Sequence, residues 1–136
     1  MIKRLAHVCI GAADLQRTEQ FYADLLGMEI AFEFMRGGER IGFYLRAGGT
    51  SFIEVFAERE SIKDDRARLK HFCLEVEDID VLIAKLTAQG YDVSRKKLGA
   101  DNAWQAWTTD PNGLRIELMQ YTEDSTQFTG ESVVLD

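Results

Sequence analysis

The chain has 136 residues, 46% hydrophobic and 29% charged, which is enough to bury a core as one domain. Its formal net charge of −7 disfavours a nucleic-acid backbone or an anionic membrane surface as a partner. No apolar run approaches the roughly 20 residues that a membrane helix needs, and the start of the chain does not read as a signal peptide. We therefore expect a cytoplasmic protein.

The first part of the chain predicts a strand, a helix and three further strands, which together make a first module over residues 1–59. The expected strands lie at 3–11, 29–36, 40–47 and 50–57. An amphipathic helix is expected at 14–26, ending at Gly27, where a left-handed cap costs least.

The second part of the chain predicts the same order of elements. A highly charged stretch at 60–68 is interpreted as a solvated linker, and a second module covers 69–121. Its strands are expected at 69–77, 91–97, 103–109 and 113–121, with a helix at 78–89 that ends at Gly90. The two modules form one domain over 1–121, and the polar acidic tail at 122–136 is expected to fray.

The two modules are related by an internal repeat. HVCI at 7–10 matches HFCL at 71–74 with an offset of 64, and FYLRAGGTSFIEVF at 43–56 aligns with AWTTDPNGLRIELM at 106–119 with an offset of 63. The difference of one residue falls within the helices, which can absorb it. Each half therefore reads βαβββ, and the chain is predicted to be α+β.

Four candidate metal ligands occupy equivalent places in the repeat. His7 matches His71, and Glu54 matches Glu117, each acid standing inside an apolar strand. Strand alternation places all four away from the regular aliphatic stripe, so they could face one cavity. Two imidazoles and two carboxylates suit a divalent ion such as Ni, Zn, Co, Fe or Mn. The alternative is that these are polar strand residues facing solvent, their symmetry being inherited from a duplication.

Several segments resemble the vicinal oxygen chelate superfamily of glyoxalases, bleomycin-resistance proteins and dioxygenases. The segments are HVCI, the DL and FYADLLGMEI that follow it, FIEVF, HFCLEVEDID and DPNGLRIELMQY. The resemblance covers about residues 3–121. It implies two βαβββ modules in a cupped, incompletely closed mixed sheet with helices outside, and a homodimer that binds a small molecule. It also implies that His7, Glu54, His71 and Glu117 are metal ligands, the arrangement of glyoxalase I.

The glyoxalase I resemblance implies a metal-dependent lyase or isomerase that acts on a small substrate with adjacent oxygens through an enediolate-like intermediate. Glu117 is favoured as the residue that moves the proton, with Glu54 as the other candidate. Two positions depart from the family pattern, since Gly11 replaces an Arg and Glu58 replaces an Asn. Because both departures disfavour an anionic glutathione adduct, the use of glutathione as cosubstrate stays open.

Other readings of the same pattern also stay open. One is a drug-sequestering protein of the bleomycin-resistance type that needs no metal, and another is an isomerase or epimerase that does not use glutathione. The residues expected to contact substrate are Phe52, Phe56, Arg115, Met119 and Trp104. Arg115 is a candidate anion anchor, or else the partner of an acid such as Glu75. Cys9 and Cys73 are expected to be buried thiols that behave as small hydrophobes.

Overall fold

The computed structural model describes residues 5, 7–49, 51–57, 71–129 and 131. The predicted linker at 60–68 and Glu58 therefore lie outside the described residues. The structure divides into two compact units. The first contains the described residues before position 58 together with Asp110–Gly113, and the second contains those from 71 to 109 and from 114 onward. Within the described residues, no helix has the length and apolar character needed to cross a membrane.

The first unit has the predicted βαβββ order. Its elements are β1 (His7–Ala12), α1 (Leu15–Glu19, continued as a π-helix over Gln20–Leu25), β2 (Ile30–Arg36), β3 (Glu39–Arg46) and β4 (Phe52–Ala57). The strands form one sheet in the order β1-β4-β3-β2. β1 is parallel to β4, whereas the β2–β3 and β3–β4 pairs are antiparallel.

The second unit repeats this topology. Its elements are β5 (Phe72–Glu75), α2 (Ile79–Ala88), β6 (Lys97–Leu98), β7 (Trp104–Thr109), β8 (Arg115–Gln120) and a short α3 (Thr126–Thr129). The sheet order is β5-β8-β7-β6, with β5 parallel to β8 and the other pairs antiparallel. The prediction of an α+β fold built from two βαβββ modules is thus confirmed.

The helices explain the one-residue change in the repeat offset. Asp14 and Asp78 are the N-caps, and their carboxylates accept hydrogen bonds from the backbone N–H groups of Arg17 and Val81. Gly27 and Gly90 follow the helices with positive φ, as predicted. The first helix holds one residue more than the second between these landmarks, and it is the first that contains a π-helix, whose i→i+5 turn is wider and takes up the extra residue.

Strand alternation separates a buried core from a second face in each sheet. In the first unit, Ile53 and Val55 of β4 are buried, while Glu54 between them is half-buried. In the second unit, Ile116 and Leu118 of β8 are likewise buried. Helix α1 contacts β4, and α2 contacts β7 and β8, so each helix covers the aliphatic face of its own sheet.

The predicted strand at 91–97 is much shorter in the structure. Only Lys97 and Leu98 pair as β6, and Val93 makes an isolated bridge to Thr108. Between them, the Ser94 hydroxyl accepts the Trp107 backbone N–H at 2.8 Å. A side-chain oxygen thus takes a bond that a strand would make through its backbone, and the ladder is interrupted there.

The expectation of a frayed tail is wrong for residues 122–129. The backbone N–H of Thr126 donates to the Asp101 carbonyl oxygen at 2.9 Å, and the Thr122 hydroxyl donates to the Asn102 carbonyl oxygen at 2.7 Å. Ser125 is fully buried. These bonds hold α3 against the loop before β7, so the backbone's hydrogen bonds are made internally instead of to water.

The turn Asp110–Gly113 belongs to the first unit and carries a buried polar network. Asp110 is only 4% exposed, and its Oδ2 accepts a hydrogen bond from the Tyr22 hydroxyl at 3.0 Å. The Asn112 amide nitrogen donates to the Thr18 hydroxyl at 3.0 Å, while its Oδ1 accepts from the Ala13 N–H at 2.9 Å. The DPNG sequence therefore serves as more than a turn, because it also satisfies polar groups at the start of α1.

Replacing Tyr22 by Phe is expected to destabilise the protein by about 1.5–3 kcal/mol, because the buried Asp110 carboxylate loses a hydrogen bond. Urea unfolding gives the free energy of unfolding directly. Tyr121→Phe is the matched control, since Tyr121 is half-buried and its ring packs against Phe128. Equal stabilities of the two variants would contradict this role for the Tyr22 hydroxyl.

The same hydrogen bond predicts a pH effect. Burial, followed by the charge of Asp110, raises the pKa of Tyr22 well above its ordinary value of 10.0. The folded state therefore holds this proton more tightly than the unfolded state, and the stabilisation is complete below pH 10.0 and is lost as pH rises towards the folded pKa. Tyr22→Phe should show a shallower loss of stability with rising pH in this alkaline range.

Candidate functional site

The first unit places an imidazole and a carboxylate on one face of its sheet. The parallel pairing of β1 with β4 sets Cys9 opposite Glu54. His7 lies two residues before Cys9, so the His7 ring and the Glu54 carboxylate project from the same side. His7 is exposed and Glu54 is half-buried. We call these two residues the first half-site.

The second unit builds the equivalent pair in the same register. The parallel pairing of β5 with β8 sets Cys73 opposite Glu117, and His71 lies two residues before Cys73. His71 Nε2 is 3.4 Å from Glu117 Oε2, although Glu117 itself is only 8% exposed. The acid in the apolar strand is therefore partnered, which offsets the desolvation that would otherwise oppose its burial. His71 and Glu117 form the second half-site.

The separation within the second half-site fits a shared metal ion. Two ligands bound tetrahedrally at about 2.0–2.2 Å from one zinc ion lie roughly 3.3–3.6 Å apart, and the His71–Glu117 distance is 3.4 Å. Among the residues that the structure describes, no group of three or more His, Cys, Asp or Glu side chains could hold a metal. The binding of one ion by all four residues stays a prediction.

Each half-site also contains an aromatic residue that sequence reasoning did not select. Tyr44 stands directly opposite Glu54 across the β3–β4 pair, and its ring centroid is 5.8 Å from that of His7. Trp107 stands opposite Glu117, and its centroid is 4.8 Å from that of His71, edge to face. The offset of 63 between Tyr44 and Trp107 is the offset of the repeat. Both imidazoles therefore rest against a ring at an equivalent position.

Two of the predicted substrate residues lie beside the first half-site. Phe52 is directly opposite His7 in the register, and Phe56 is two residues beyond Glu54 on β4. Both are half-buried and belong to a larger set of rings on the same side of the sheet. We call this set the aromatic face; its members are Phe32, Phe34, Tyr44, Phe52 and Phe56.

The three predicted substrate residues of the second unit do not all share one face. Arg115 and Met119 lie on the Glu117 side of β8, and the Arg115 guanidinium carbon is 4.0 Å from the centroid of the Trp107 ring. Trp104 is three residues from Trp107 and so projects from the opposite side of β7, where its ring lies 4.7 Å from the Lys96 ammonium nitrogen. The structure thus brings Trp107, and not Trp104, to Glu117.

The expectation that both cysteines are buried is wrong, because Cys9 and Cys73 are exposed. Cys73 nevertheless has a pKa raised from 9.0 to about 12. The first cause is partial withdrawal of its thiol from water, and the next is the negative charge of Glu117, which also accepts a hydrogen bond from it. Partial burial and the neighbouring carboxylate together therefore keep the Cys73 thiol protonated at pH values above its ordinary pKa of 9.0.

This predicts slow alkylation of Cys73 in metal-free protein carrying Cys9→Ser. Near the ordinary thiol pKa of 9.0, folded protein should react with iodoacetamide roughly tenfold or more slower than urea-unfolded protein. The thiolate fraction falls as the pKa rises, and the greater nucleophilicity of a more basic thiolate offsets only part of that fall. Glu117→Gln should recover part of the rate by removing the negative charge. A folded rate equal to the unfolded one would show that the pKa of Cys73 is not raised, and an unchanged rate in Glu117→Gln would show that Glu117 does not contribute to the shift.

The comparison with protein families identifies the chain. The model of the Glyoxalase/Bleomycin resistance protein/Dioxygenase superfamily matches residues 4–118, nearly the whole sequence. The chain belongs to this superfamily, as the HVCI, FIEVF and DPNGLRIELM segments indicated. The matched range includes both half-sites and the aromatic face.

Individual relatives agree with this assignment. The chain is 30% identical over 128 residues to "Uncharacterized protein YaeR" of Escherichia coli strain K12, covering 88% of this chain and 97% of that protein. It is 30% identical over 123 residues to "Probable lactoylglutathione lyase" of Synechocystis, covering 85% and 94%. A glyoxalase family protein from Enterococcus faecalis has a solved structure that superposes with a TM-score of 0.70 at 28% identity, covering 86% and 97%.

Proposed function

We propose that the chain is a metal-dependent lyase or isomerase of the glyoxalase I type, acting on a small substrate with two adjacent oxygens. The observation that carries this proposal is the repeated half-site. In both units a parallel strand pair in the same register presents one imidazole and one carboxylate on one face. In the second unit these groups are 3.4 Å apart.

The proposed ligands of the metal are His7, Glu54, His71 and Glu117. Imidazole nitrogens and carboxylate oxygens together suit Ni, Zn, Co, Fe or Mn, and their chemistry alone does not select one of these ions. When bound, such an ion would supply Lewis-acid stabilisation of negative charge on the substrate oxygens. It would also compensate the burial of Glu117, which is 8% exposed.

Glu117 is proposed to move the proton between neighbouring substrate carbons. Its carboxylate contacts the His71 ring nitrogen and accepts a hydrogen bond from the Cys73 thiol, and it is more deeply buried than Glu54. In a site that largely excludes water, solvent competes less with the carboxylate for the substrate proton. Glu54, on the more open first half-site, is assigned to binding only.

The similarity to a protein named a probable lactoylglutathione lyase supports this reaction class. Whether the thiol part of the substrate is glutathione is a separate matter. Gly11 lies on β1 opposite Phe56. A glycine at this position offers no cationic side chain to hold a carboxylate. We therefore propose that the paired oxygens of the substrate, and not a glutathione carboxylate, are what the site recognises.

Glu117→Gln is expected to lower turnover about 10²–10⁴-fold while metal stays bound, because an amide cannot accept the proton. The assay is conversion of the methylglyoxal–glutathione hemithioacetal, with metal content measured in the same samples of protein purified without added metal. Glu77→Gln is the matched control, since Glu77 is exposed on the loop after β5. Glu54→Gln should cost metal affinity more than it costs proton transfer.

These measurements separate the outcomes. Retained turnover in metal-loaded Glu117→Gln would exclude Glu117 as the group that moves the proton. If the unaltered protein binds metal but does not convert the hemithioacetal, the proposed metal site is supported and the glutathione-dependent reaction is excluded. In that case the substrate would be sought among glutathione-independent isomerisation and epimerisation reactions.

The second candidate function is a small-molecule binding protein of the bleomycin-resistance type that performs no chemistry. The observation that favours it is the aromatic face, whose five rings would bind an apolar planar molecule without a metal. Protein that contains no metal after purification, and takes up none on titration, would support this candidate and exclude the first.

A further inference from the structure

The aromatic face lies on the same side of the first sheet as His7 and Glu54. Its rings come from three adjacent strands, because the register sets Phe32 opposite Tyr44 and Tyr44 opposite Glu54. The other side of the same strands holds the fully buried Phe43 and Leu45. The aromatic face is thus separate from the core of its unit.

The rings contact one another continuously. Phe32 stacks on Tyr44 with centroids 4.7 Å apart and planes at 20°, and Phe34 lies 4.5 Å from Phe56. Tyr44 also lies 5.1 Å from Phe52 and 5.8 Å from the His7 ring. A path of ring contacts therefore leads from Phe32 through Tyr44 to the imidazole of the first half-site.

Gly42 allows two of these rings to meet. It pairs with Phe34 on one side and Phe56 on the other. A Cβ atom added at Gly42 would lie 2.9 Å from the Phe56 ring and 2.3 Å from the Val55 carbonyl oxygen. The absence of a side chain at Gly42 leaves room above β3 for the Phe34 and Phe56 rings to contact each other, with their planes tilted by 32°.

The fold itself does not require this cluster of rings. In the second unit, the repeat places Arg115 where the first unit has Phe52, Met119 where it has Phe56, and Gln105 where it has Gly42. Yet the two sheets have the same strand order and the same parallel pairing. The aromatic face is a feature of the first half-site and not of the βαβββ architecture.

We propose that the substrate carries a planar aromatic group next to its paired oxygens, and that the aromatic face binds this group. The inference rests on the proposed function and adds the class of substrate. Phe32 remains 49% exposed, so a ring surface is open to a ligand. An apolar protein surface seated here would also have to bury His7 and Glu54 without a partner, whereas an aryl compound with two oxygens matches both parts of this face.

The test uses three hydroxamates as probes, since each presents two adjacent oxygens to a metal. Acetohydroxamate measures the oxygen anchor alone, cyclohexanecarbohydroxamate adds an apolar ring that is not flat, and benzohydroxamate adds a flat ring of similar size. Affinities are measured by calorimetry on the metal-loaded protein, so that no turnover is needed. Benzohydroxamate should bind about tenfold tighter than the cyclohexane compound, because stacking adds to the burial of area.

Phe32→Leu should remove most of this tenfold preference while leaving the affinity for acetohydroxamate unchanged. Leucine keeps an apolar side chain and deletes only the ring that stacks on Tyr44. Phe128→Leu is the matched control, because Phe128 is 64% exposed and lies on α3 in the second unit. The control variant should keep the full preference.

The remaining outcomes all count against the inference. Equal affinity for the flat and the non-flat ring would overturn it and leave the proposed function intact. An unchanged preference in Phe32→Leu would also overturn it. If that variant in addition alters the molar mass in light scattering, the aromatic face is an interface between copies of the chain. If none of the three hydroxamates binds the metal-loaded protein, the bound metal does not accept two adjacent oxygens, so the proposed function fails and the aryl inference fails with it.

Discussion

The candidate site depends on one constraint, the register of a parallel strand pair that occurs twice. Opposite residues in such a pair share a face, and residues two apart on one strand share it as well. Pairing Cys9 with Glu54 and Cys73 with Glu117 therefore places a histidine and an acid side by side in each unit. A slip of one residue in either pair would turn the carboxylate into the aliphatic core.

The sequence predicted those features that depend on hydrophobic periodicity and on the internal repeat. Alternation in FIEVF and RIELM placed the aliphatic residues on the face opposite Glu54 and Glu117, and the strand registers agree. The two offsets placed the one-residue difference within the helices, and the structure shows the extra residue in the first helix, which contains a π-helix. The glycines that end the two helices were predicted from capping chemistry, which acts over a few residues and so can be read locally.

Features that depend on side chains distant in sequence were not predicted. One is the Ser94 hydroxyl, which interrupts the ladder before β6. Another is the set of bonds that hold Thr122 and Thr126 to the loop at residues 101–102. Both depend on which residues become neighbours only in the folded chain. Alternation along β7 puts Trp104 and Trp107 on opposite faces, and only the register with β8 shows that Trp107 is the one opposite Glu117. The repeat did contain the signal for Tyr44 and Trp107, since both align at the offset of the modules.

The most direct test of the account is a metal titration that compares the unaltered chain with His7→Gln and His71→Gln. If the two half-sites supply ligands to one ion, the unaltered protein binds one equivalent per chain, and either substitution abolishes tight binding to a similar extent. If each variant instead keeps tight binding at the half-site that still has its histidine, the half-sites act independently. That result would contradict the shared ion on which the proposed chemistry depends.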